Sequence, residues 1–207
     1  MSNLYKRLIS SIVLGSAVLF LIYKGELYFD ALLVTCFLCG VYEILNMKRK
    51  LSKFLIFSLF ILFIHSSHNL RNIENGMELL YLVLTITWLS DIGGFLFGKY
   101  IGGKKIKIIS PNKTYIGFFG SLILSQLSFI ILKIFSFQIS VSYFLTSLIF
   151  LISSSLVIVG DLTFSYFKRL ENLKDYSNLI PGHGGIFDRI DGLIFTVIFF
   201  NLLINFI

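Results

Sequence analysis

Long apolar runs separated by short polar segments dominate this chain. Seven such runs predict helical spans at roughly 8–23, 27–46, 53–66, 78–98, 115–135, 139–160 and 190–207. A helix that crosses a bilayer at right angles needs about 20 apolar residues, and several of the runs, 53–66 among them, fall short of that length. Because lipid cannot hydrogen-bond an open sheet edge, the pattern predicts an all-α, polytopic membrane bundle of about seven helices. No polar tract is long enough for a second domain, so residues 1–207 are predicted to form one membrane-embedded unit.

Composition supports a membrane protein. Hydrophobic residues make up 56% of the chain and charged residues 14%, whereas soluble domains contain about 45–50% and about 25%. Cys36 and Cys39 lie inside an apolar run, and we interpret them as small packing residues because a zinc or redox site needs further ligands. The basic start and apolar stretch of residues 1–23 are interpreted as a retained first helix and not as a cleaved signal.

The basic residues are distributed unevenly between the two sides that successive spans define. With the N-terminus inside, fifteen of the eighteen lysines and arginines fall on one side, and Lys24, Arg71 and Lys133 fall on the other. The positive-inside rule makes the basic side cytoplasmic, which places the 99–114 and 161–189 loops inside and the 67–77 loop outside. The net charge of +7 is spread over short loops without a basic helix face, so we exclude nucleic acid as a partner. Attraction to anionic membrane lipids accounts for most of these charges.

The segment from Ser165 to Asp191 is polar and rich in glycine, although it lies between two apolar runs. Asp188 and Asp191 are three positions apart, which places two carboxylates on one face of a helix start, about 5–6 Å apart at Cβ. Carboxylate oxygens at this spacing suit one hard cation or two adjacent ones. Four nearby basic side chains would compensate the charge and grip phosphates; they are Lys168, Arg169, Lys174 and Arg189. The segment therefore indicates a site for metal and phosphate.

The sixth apolar run is predicted to continue as an amphipathic helix through residues 161–173. At 100° per residue, Asp161, Ser165, Lys168 and Asn172 fall on one stripe, with apolar residues opposite. A surface amphipathic helix would show the same pattern. Asp161 ends an apolar run and lies on the stripe that faces the later aspartates if the intervening loop folds back, which favours a site.

A second polar island follows the fourth run. Asp91 lies eight residues before Lys99, hence about 12 Å deeper along a helix that rises 1.5 Å per residue. A carboxylate at such a depth costs on the order of 2.5–3.5 kcal/mol, so Asp91 is a candidate functional residue, with an interhelical polar contact as the alternative. Gly94, Gly98 and Gly102 recur every four residues and are interpreted as a helix-packing stripe, with backbone approach to a phosphate as the alternative.

A third polar island, residues 110–117, opens the fifth run. Ser110, Lys113, Thr114 and Gly117 at a helix start suit an anion, because free N–H groups and the helix dipole point toward it. The alternative is a plain helix start with a lysine at the membrane edge.

These segments resemble the phosphatidate cytidylyltransferases, also called CDP-diacylglycerol synthases. The signature of that family runs Ser-x-apolar-Lys-Arg, Lys-Asp, Pro-x-His-Gly-Gly and Asp-Arg-x-Asp. Every defined position has its residue here, namely Ser165, Lys168, Arg169, Lys174, Asp175, Pro181, His183, Gly184, Gly185, Asp188, Arg189 and Asp191. The family has similar stretches at 91–98 and 110–117. There this chain departs at Asn112, Tyr115 and Ile116, where the family usually has lysine, tryptophan and glutamate.

The resemblance implies an integral membrane enzyme, of the bacterial inner-membrane type, that condenses CTP with phosphatidic acid at a cytoplasmic-side site. It implies one catalytic domain with its signature region at 161–191 and Mg²⁺ as cofactor, held by Asp161, Asp188 and Asp191. The catalytic residues implied are Asp188, Asp191, Lys168, Arg189 and His183. The substrate-binding residues implied are Asp91, Ser110, Lys113, Thr114, Ser165, Lys168, Arg169, Lys174, Asp175, His183, Gly184 and Gly185. Membrane lipids are further partners, and a homodimer is compatible with the resemblance.

Two other functions stay open at this point. A related enzyme that acts on another lipid phosphate, such as an isoprenoid ether lipid, would use the same residues. A transporter for a phosphorylated lipid or an anion would also need intramembrane acids and basic loops. A transporter site should lie near the midplane on broken helices, often within repeats. The charged residues here lie at the predicted cytoplasmic rim, which favours an enzyme.

Overall fold

A computed structural model describes most of the chain, and every regular element in the part it describes is helical. The described residues are 3–106, 113–135, 141–180, 182 and 184–204, with side chains described from residue 10 onward. The helices are α1 (Asn3–Lys24), α2 (Glu26–Asn46), α3 (Lys50–Asn72), α4 (Gly76–Tyr100), α5 (Tyr115–Ser125), α6 (Phe129–Ile134), α7 (Tyr143–Leu170) and α8 (Phe187–Leu203). A 3₁₀ turn, Gln126–Ser128, joins α5 to α6.

The helices confirm an all-α, polytopic membrane bundle. Each of the seven predicted runs coincides with one helical segment, since α5 and α6 continue each other through the 3₁₀ turn. By length and composition, five segments of the described chain are able to cross a membrane: α2, α3, α4, the α5–α6 segment and α7. The part of α1 whose side chains are described, Ser10–Lys24, is shorter, and α8 has 17 residues. Seven membrane crossings therefore stay a prediction.

Helix α3 is longer than its apolar run indicates. It continues to Asn72, so the loop predicted at 67–77 shrinks to residues 73–75. The polar residues in its last turns are accommodated by local bonds. Ser67 Oγ donates to the Phe63 carbonyl (2.8 Å), and His68 Nδ1 contacts the Asp30 carboxylate on α2 (3.0 Å). A serine or threonine whose hydroxyl group hydrogen-bonds to the preceding turn can remain in a helix. A hydropathy pattern does not reveal this.

Helix α7 extends beyond its apolar run, as the amphipathic pattern predicts, but it ends at Leu170. Asn172 has a left-handed backbone (φ 56°), so it does not belong to the helical stripe predicted for it. Asparagine tolerates this conformation better than most residues because its short side chain can hydrogen-bond locally. The stripe that α7 presents therefore consists of Asp161, Ser165 and Lys168.

Close helix contacts are made at glycines, partly where the repeat predicts them. A Cβ on Gly94 would lie 2.9 Å from Ser121 Oγ, and one on Gly98 would lie 3.1 Å from Thr114 Oγ1, so both glycines pack α4 against α5. Gly93, outside the predicted stripe, faces the Gly120 backbone. Gly102 has no neighbour that a Cβ would meet within 4 Å and lies past the end of α4 with φ +78°. Its assignment to the packing stripe is therefore wrong, and it instead ends the helix.

The bundle has two distinct ends. At one end Lys113 contacts Asp161, and the amide of Lys48 in the α2–α3 turn donates to Glu171 past the end of α7. At the opposite end Arg71 Nε donates to the Ile22 carbonyl (3.0 Å). The described parts of the 99–114 and 161–189 segments thus share one end, away from the short α3–α4 turn.

Helices α7 and α8 pack closely at Gly160. A Cβ at this position would collide with the Asp191 carbonyl oxygen and lie 3.0 Å from Gly192 Cα. Gly160→Ala is expected to destabilise the protein by about 1–3 kcal/mol, because backbone atoms must move to admit the methyl group. The thermal midpoint in detergent measures this. Gly15→Ala is the matched control, since Gly15 lies within α1 with no atom within 4 Å of an added Cβ. An unchanged midpoint for Gly160→Ala would show that the two helices separate freely.

Candidate active site

A cavity of about 380 Å³ opens between α4, α5, α7 and the start of α8. Its polar lining contains four carboxylates, one lysine, one arginine and hydroxyl groups; the charged members are Asp91, Lys113, Asp161, Asp188, Arg189 and Asp191. These residues come from three polar islands that are far apart in the sequence. The fold therefore joins the separate islands into one site, as the loop-folding prediction for Asp161 requires.

Asp161 and Asp191 form the acidic centre of the cavity. Both carboxyl groups line the same cavity and are close enough to affect each other electrostatically. Lys113 Nζ donates to Asp161 Oδ2, and the Gly192 amide donates to Asp191 Oδ1 (2.9 Å). Two adjacent carboxylates repel each other unless a proton or a cation lies between them. Asp91, which lines the cavity from α4, places a third carboxyl group close to Asp161.

Asp188 is bound by three donors on one side of the cavity. Lys168 Nζ donates to its Oδ1 (2.7 Å), and the amides of Tyr176 (3.0 Å) and Gly185 (2.9 Å) donate to its Oδ2. The Asp188 side chain is only 3% exposed and that of Lys168 17%. Asp188 thus links α7, the loop that follows it and the first turn of α8.

Tyr176 completes this link. Its hydroxyl donates to the Phe164 carbonyl in α7 (3.0 Å). Burial, followed by the negative charges of Asp188 and Asp191, raises the pKa of Tyr176 above its ordinary value. The phenol therefore stays protonated and keeps its role as a donor. Its ring also packs edge-on against Phe187 at 5.5 Å between centroids.

Two glycines allow the loop to come this close. Gly184 has a left-handed backbone (φ +83°), and a Cβ there would lie 2.8 Å from Asp188 Oδ2. A Cβ on Gly185 would collide with the carboxylate of Glu43. A side chain at either position would force the loop away from the acids, which explains the glycine pair.

The start of α5 supplies the opposite wall. Thr114 is its N-cap, and its hydroxyl accepts the Gly117 amide (3.0 Å). Lys113 precedes this cap and points toward Asp161. A basic side chain beside a helix start is the arrangement that the sequence predicts for an anion.

The other predicted residues lie around the cavity. Ser165, Arg169, Lys174 and Asp175 are not among the side chains that line it in the described part of the chain, and the last three are exposed. Ser110 and His183, together with Pro181 and Asn112, lie outside the described residues.

Two buried carboxylates were not predicted from the sequence. Glu43, on α2, is 1% exposed and accepts hydrogen bonds from Ser177, Ile186 and Phe187. Glu171, 3% exposed, accepts from the amides of Lys48 and Arg49. The criterion that selects Asp91, an acid within an apolar run, also selects Glu43. Glu171 lies in a charged segment, where no comparable signal marks it.

The acidic cavity has the donor chemistry of a site for a hard cation. Asp161 and Asp191 offer adjacent carboxylate oxygens, the ligands that Mg²⁺ uses in proteins. The Asp188 carboxylate already accepts three N–H hydrogen bonds. Because a carboxylate has about four lone-pair sites, little acceptor capacity is left for a cation. Across the described ranges, no three acidic, histidine or cysteine side chains converge as a ready ligand set. The residues therefore fit a cation at the Asp161–Asp191 pair, with Asp188 beside it.

Comparisons with known proteins identify the family of the chain. The model of the cytidylyltransferase family matches residues 49–207. The phosphatidate cytidylyltransferase of Rickettsia bellii is 35% identical over 96% of this chain and 90% of its own length. That of Staphylococcus saprophyticus is 31% identical over 87% of this chain and 70% of its own length. That of Staphylococcus epidermidis is 36% identical over 63% of this chain, and the match spans half of the relative.

The fold is a helical membrane bundle, and an acidic cavity suited to phosphates lies at one end of it. Together the fold and the site define a class of protein, the membrane-bound nucleotidyltransferases. The chain belongs to the cytidylyltransferase family.

Proposed function

We propose that this enzyme condenses CTP with phosphatidic acid, giving CDP-diacylglycerol and pyrophosphate. The observation that supports this most directly is the convergence of the Asp161–Asp191 pair with Lys113 and Arg189 in one cavity at the end of the bundle. The site offers anionic groups for a cation and cationic groups for phosphates. The similar enzymes from three bacteria are phosphatidate cytidylyltransferases, whose name states the same substrate.

The reaction asks little covalent work of the protein. A phosphate oxygen of the lipid attacks the α-phosphorus of CTP, and the bond from that phosphorus to the bridging oxygen breaks as pyrophosphate leaves. Positioning and charge neutralisation account for catalysis in such transfers. The lipid phosphate is already anionic near neutral pH, so no general base is required. Lys113 and Arg189 hold phosphate oxygens in this proposal, and both line the cavity.

The acids and the remaining bases have complementary roles. Asp161 and Asp191, with Asp188 beside them, would hold Mg²⁺, and the bound ion would supply positive charge to neutralise the triphosphate and the leaving pyrophosphate. Lys168 keeps the Asp188 carboxylate in place through their 2.7 Å contact. Arg169, Lys174 and His183 are proposed from the sequence to complete the phosphate and nucleotide contacts.

The direct test uses purified protein in detergent with Mg²⁺ and CTP labelled at the α-phosphate, and follows transfer of the label to lipid. Phosphatidic acid and an isoprenoid ether lipid phosphate are offered separately. Label in the phosphatidate product supports the proposal. Label in the ether lipid alone would reassign the substrate, and label in neither would overturn the activity.

We further propose that the cavity end of the bundle faces the cytosol, where CTP is made. Fifteen of the eighteen basic residues are predicted on that side. Single cysteines replacing Lys105, Asn178 and Glu74, which are all exposed, report the orientation in a background that lacks Cys36 and Cys39. A membrane-impermeant thiol reagent applied to intact cells is expected to label position 74 only. Labelling at 105 and 178 but not at 74 would invert the orientation.

A further inference from the structure

Glu43 is a buried carboxylate whose partners all belong to the signature region. Its Oε1 accepts the Ser177 hydroxyl (2.7 Å) and the Ile186 amide (2.7 Å), and its Oε2 accepts the Phe187 amide (3.1 Å). Burying a carboxylate is costly unless its oxygens are hydrogen-bonded. Among the described side chains, no lysine or arginine forms an ion pair with it. Its negative charge is therefore compensated by hydrogen-bond donors of the loop and of the helix that follows.

The contact supplies what the start of α8 lacks. The first amides of a helix have no acceptor within the helix, and Ile186, the N-cap of α8, makes no side-chain capping bond. Glu43 provides the missing acceptors from a different helix. A negative charge at this end of a helix is also favoured by the helix dipole. Gly185 makes room for the carboxylate, because a Cβ there would collide with it.

The turn that Glu43 binds is the turn that carries the acids of the site. Asp188 directly follows Phe187, and Asp191 lies one helical turn further on. The Phe187 ring is itself held between Phe164 (5.6 Å) and Phe60 (5.0 Å). With its ring and its amide both fixed, the start of α8 has little freedom to rotate or slide. The orientation of Asp188 and Asp191 toward the cavity depends on that restraint.

We infer that Glu43 is a positioning residue for the catalytic acids, and that α2 is a working part of the active site although the family match begins only at residue 49. The inference rests on the proposed function, because it assigns Glu43 to the geometry of that reaction. Glu43 reaches no cavity-lining position itself; it acts through the backbone of Ile186 and Phe187.

Glu171 offers a matched control in the same part of the molecule. It is as deeply buried as Glu43 and accepts two backbone amides, those of Lys48 (2.7 Å) and Arg49 (3.1 Å). Its bonds tie the end of α7 to the α2–α3 turn and do not go to α8. A substitution at Glu43 and one at Glu171 each remove a buried carboxylate that accepts backbone amides. Only the substitution at Glu43 releases the start of α8.

The test compares Glu43→Gln and Glu171→Gln in the full-length protein. Glutamine keeps the shape but turns a donor toward one of the amides that Glu43 accepts. We expect kcat per folded enzyme to fall roughly tenfold in Glu43→Gln, because small misplacements of reacting groups are costly. The KM for CTP should change little, since Lys113 lies just before α5 and contacts Asp161 on α7, not the start of α8. Amide hydrogen exchange at residues 186 and 187 should quicken roughly tenfold or more. Glu171→Gln should change neither kcat nor the exchange rate at residues 186 and 187, whatever it does to thermal stability.

Wild-type kcat and wild-type exchange in folded Glu43→Gln would overturn the inference. Equal losses of kcat in both variants would reduce Glu43 to a structural role. If Glu43→Gln does not fold, Glu43→Asp keeps the charge but shortens the reach, and faster exchange with lowered kcat is again required. If the wild-type protein does not transfer label to phosphatidic acid, the proposed function fails, whereas the exchange measurement still tests the restraint on α8.

Discussion

Asp191→Asn is expected to abolish turnover while the protein remains folded, and Asp161→Asn is expected to do the same. Each change removes one of the two adjacent carboxylates that fit a cation in the cavity. Neutralisation by a metal ion is worth several kcal/mol in the transition state, and about 1.36 kcal/mol is a factor of ten, so turnover should fall roughly a thousandfold or more. The measurement is kcat at saturating Mg²⁺ and both substrates. Near-normal turnover under these conditions would remove the residue from the metal site.

The stability of Asp191→Asn should move in the opposite direction. Two like charges close together destabilise the folded state, so neutralising Asp191 should leave the thermal midpoint unchanged or raise it. Asp161→Asn also loses the ion pair with Lys113, so its midpoint should rise less. Function and stability are often opposed in this way at active sites. Asp188→Asn should differ, since its oxygens accept three N–H donors and each bond to a charged group is worth about 1.5–3 kcal/mol. It should lower both the midpoint and turnover.

Asp30→Asn provides the control for both measurements. Asp30 is an exposed aspartate of α2 that contacts His68 at the far end of the bundle. Its replacement should leave turnover unchanged. A loss of turnover in this variant would mean that charge at the distant end affects the site. Loss of turnover in the Asp161 and Asp191 variants could then not be assigned to their place in the cavity.

The helices could be predicted from the sequence because a bilayer requires every backbone polar group of a spanning segment to be hydrogen-bonded within the protein. Runs such as 27–46 and 78–98 have no alternative to a helix in lipid, and α2 and α4 follow them closely. The predicted helix ends and helix faces are wrong where polar residues form local hydrogen bonds or where a glycine ends a helix. His68, Asn172 and Gly102 each fall at such a place.

The site could be predicted as separate motifs but not as a set of contacts. Periodicity places Asp161 and Lys168 on one stripe of α7, and the structure shows them using different partners, Lys113 and Asp188. These pairings depend on how α5 and α8 pack against α7, which no spacing within a single segment encodes. Glu43 has a signal in the sequence, as an acid within an apolar run, but its partners could not be predicted for the same reason. Its partners are more than 130 residues away, as the separation of 143 positions from Ile186 shows.

Lys113→Ala is expected to lower kcat/KM for CTP by about a hundredfold. A hydrogen bond to a charged group is worth about 1.5–3 kcal/mol, and loss of one phosphate contact accounts for the lower part of such an effect. The rest comes from Asp161, which Lys113 contacts directly and which would lose its compensating charge beside Asp191. Initial rates at varied CTP, with phosphatidic acid saturating, give the number.

Lys105→Ala is the control for the loss of a lysine near the same helix start. Lys105 is exposed, and its backbone pairs with Thr114, so the change removes a charge without removing the pairing. Its kcat/KM for CTP should stay within about twofold of the wild-type value, because exposed charges contribute little. If Lys113→Ala kept wild-type kinetics for CTP but no longer saturated with phosphatidic acid, Lys113 would belong to the lipid site. If neither substrate were affected, the lysine would serve only as an anchor at the membrane edge. A direct role at the triphosphate requires that the defect appear with CTP, and that it be absent from Lys105→Ala.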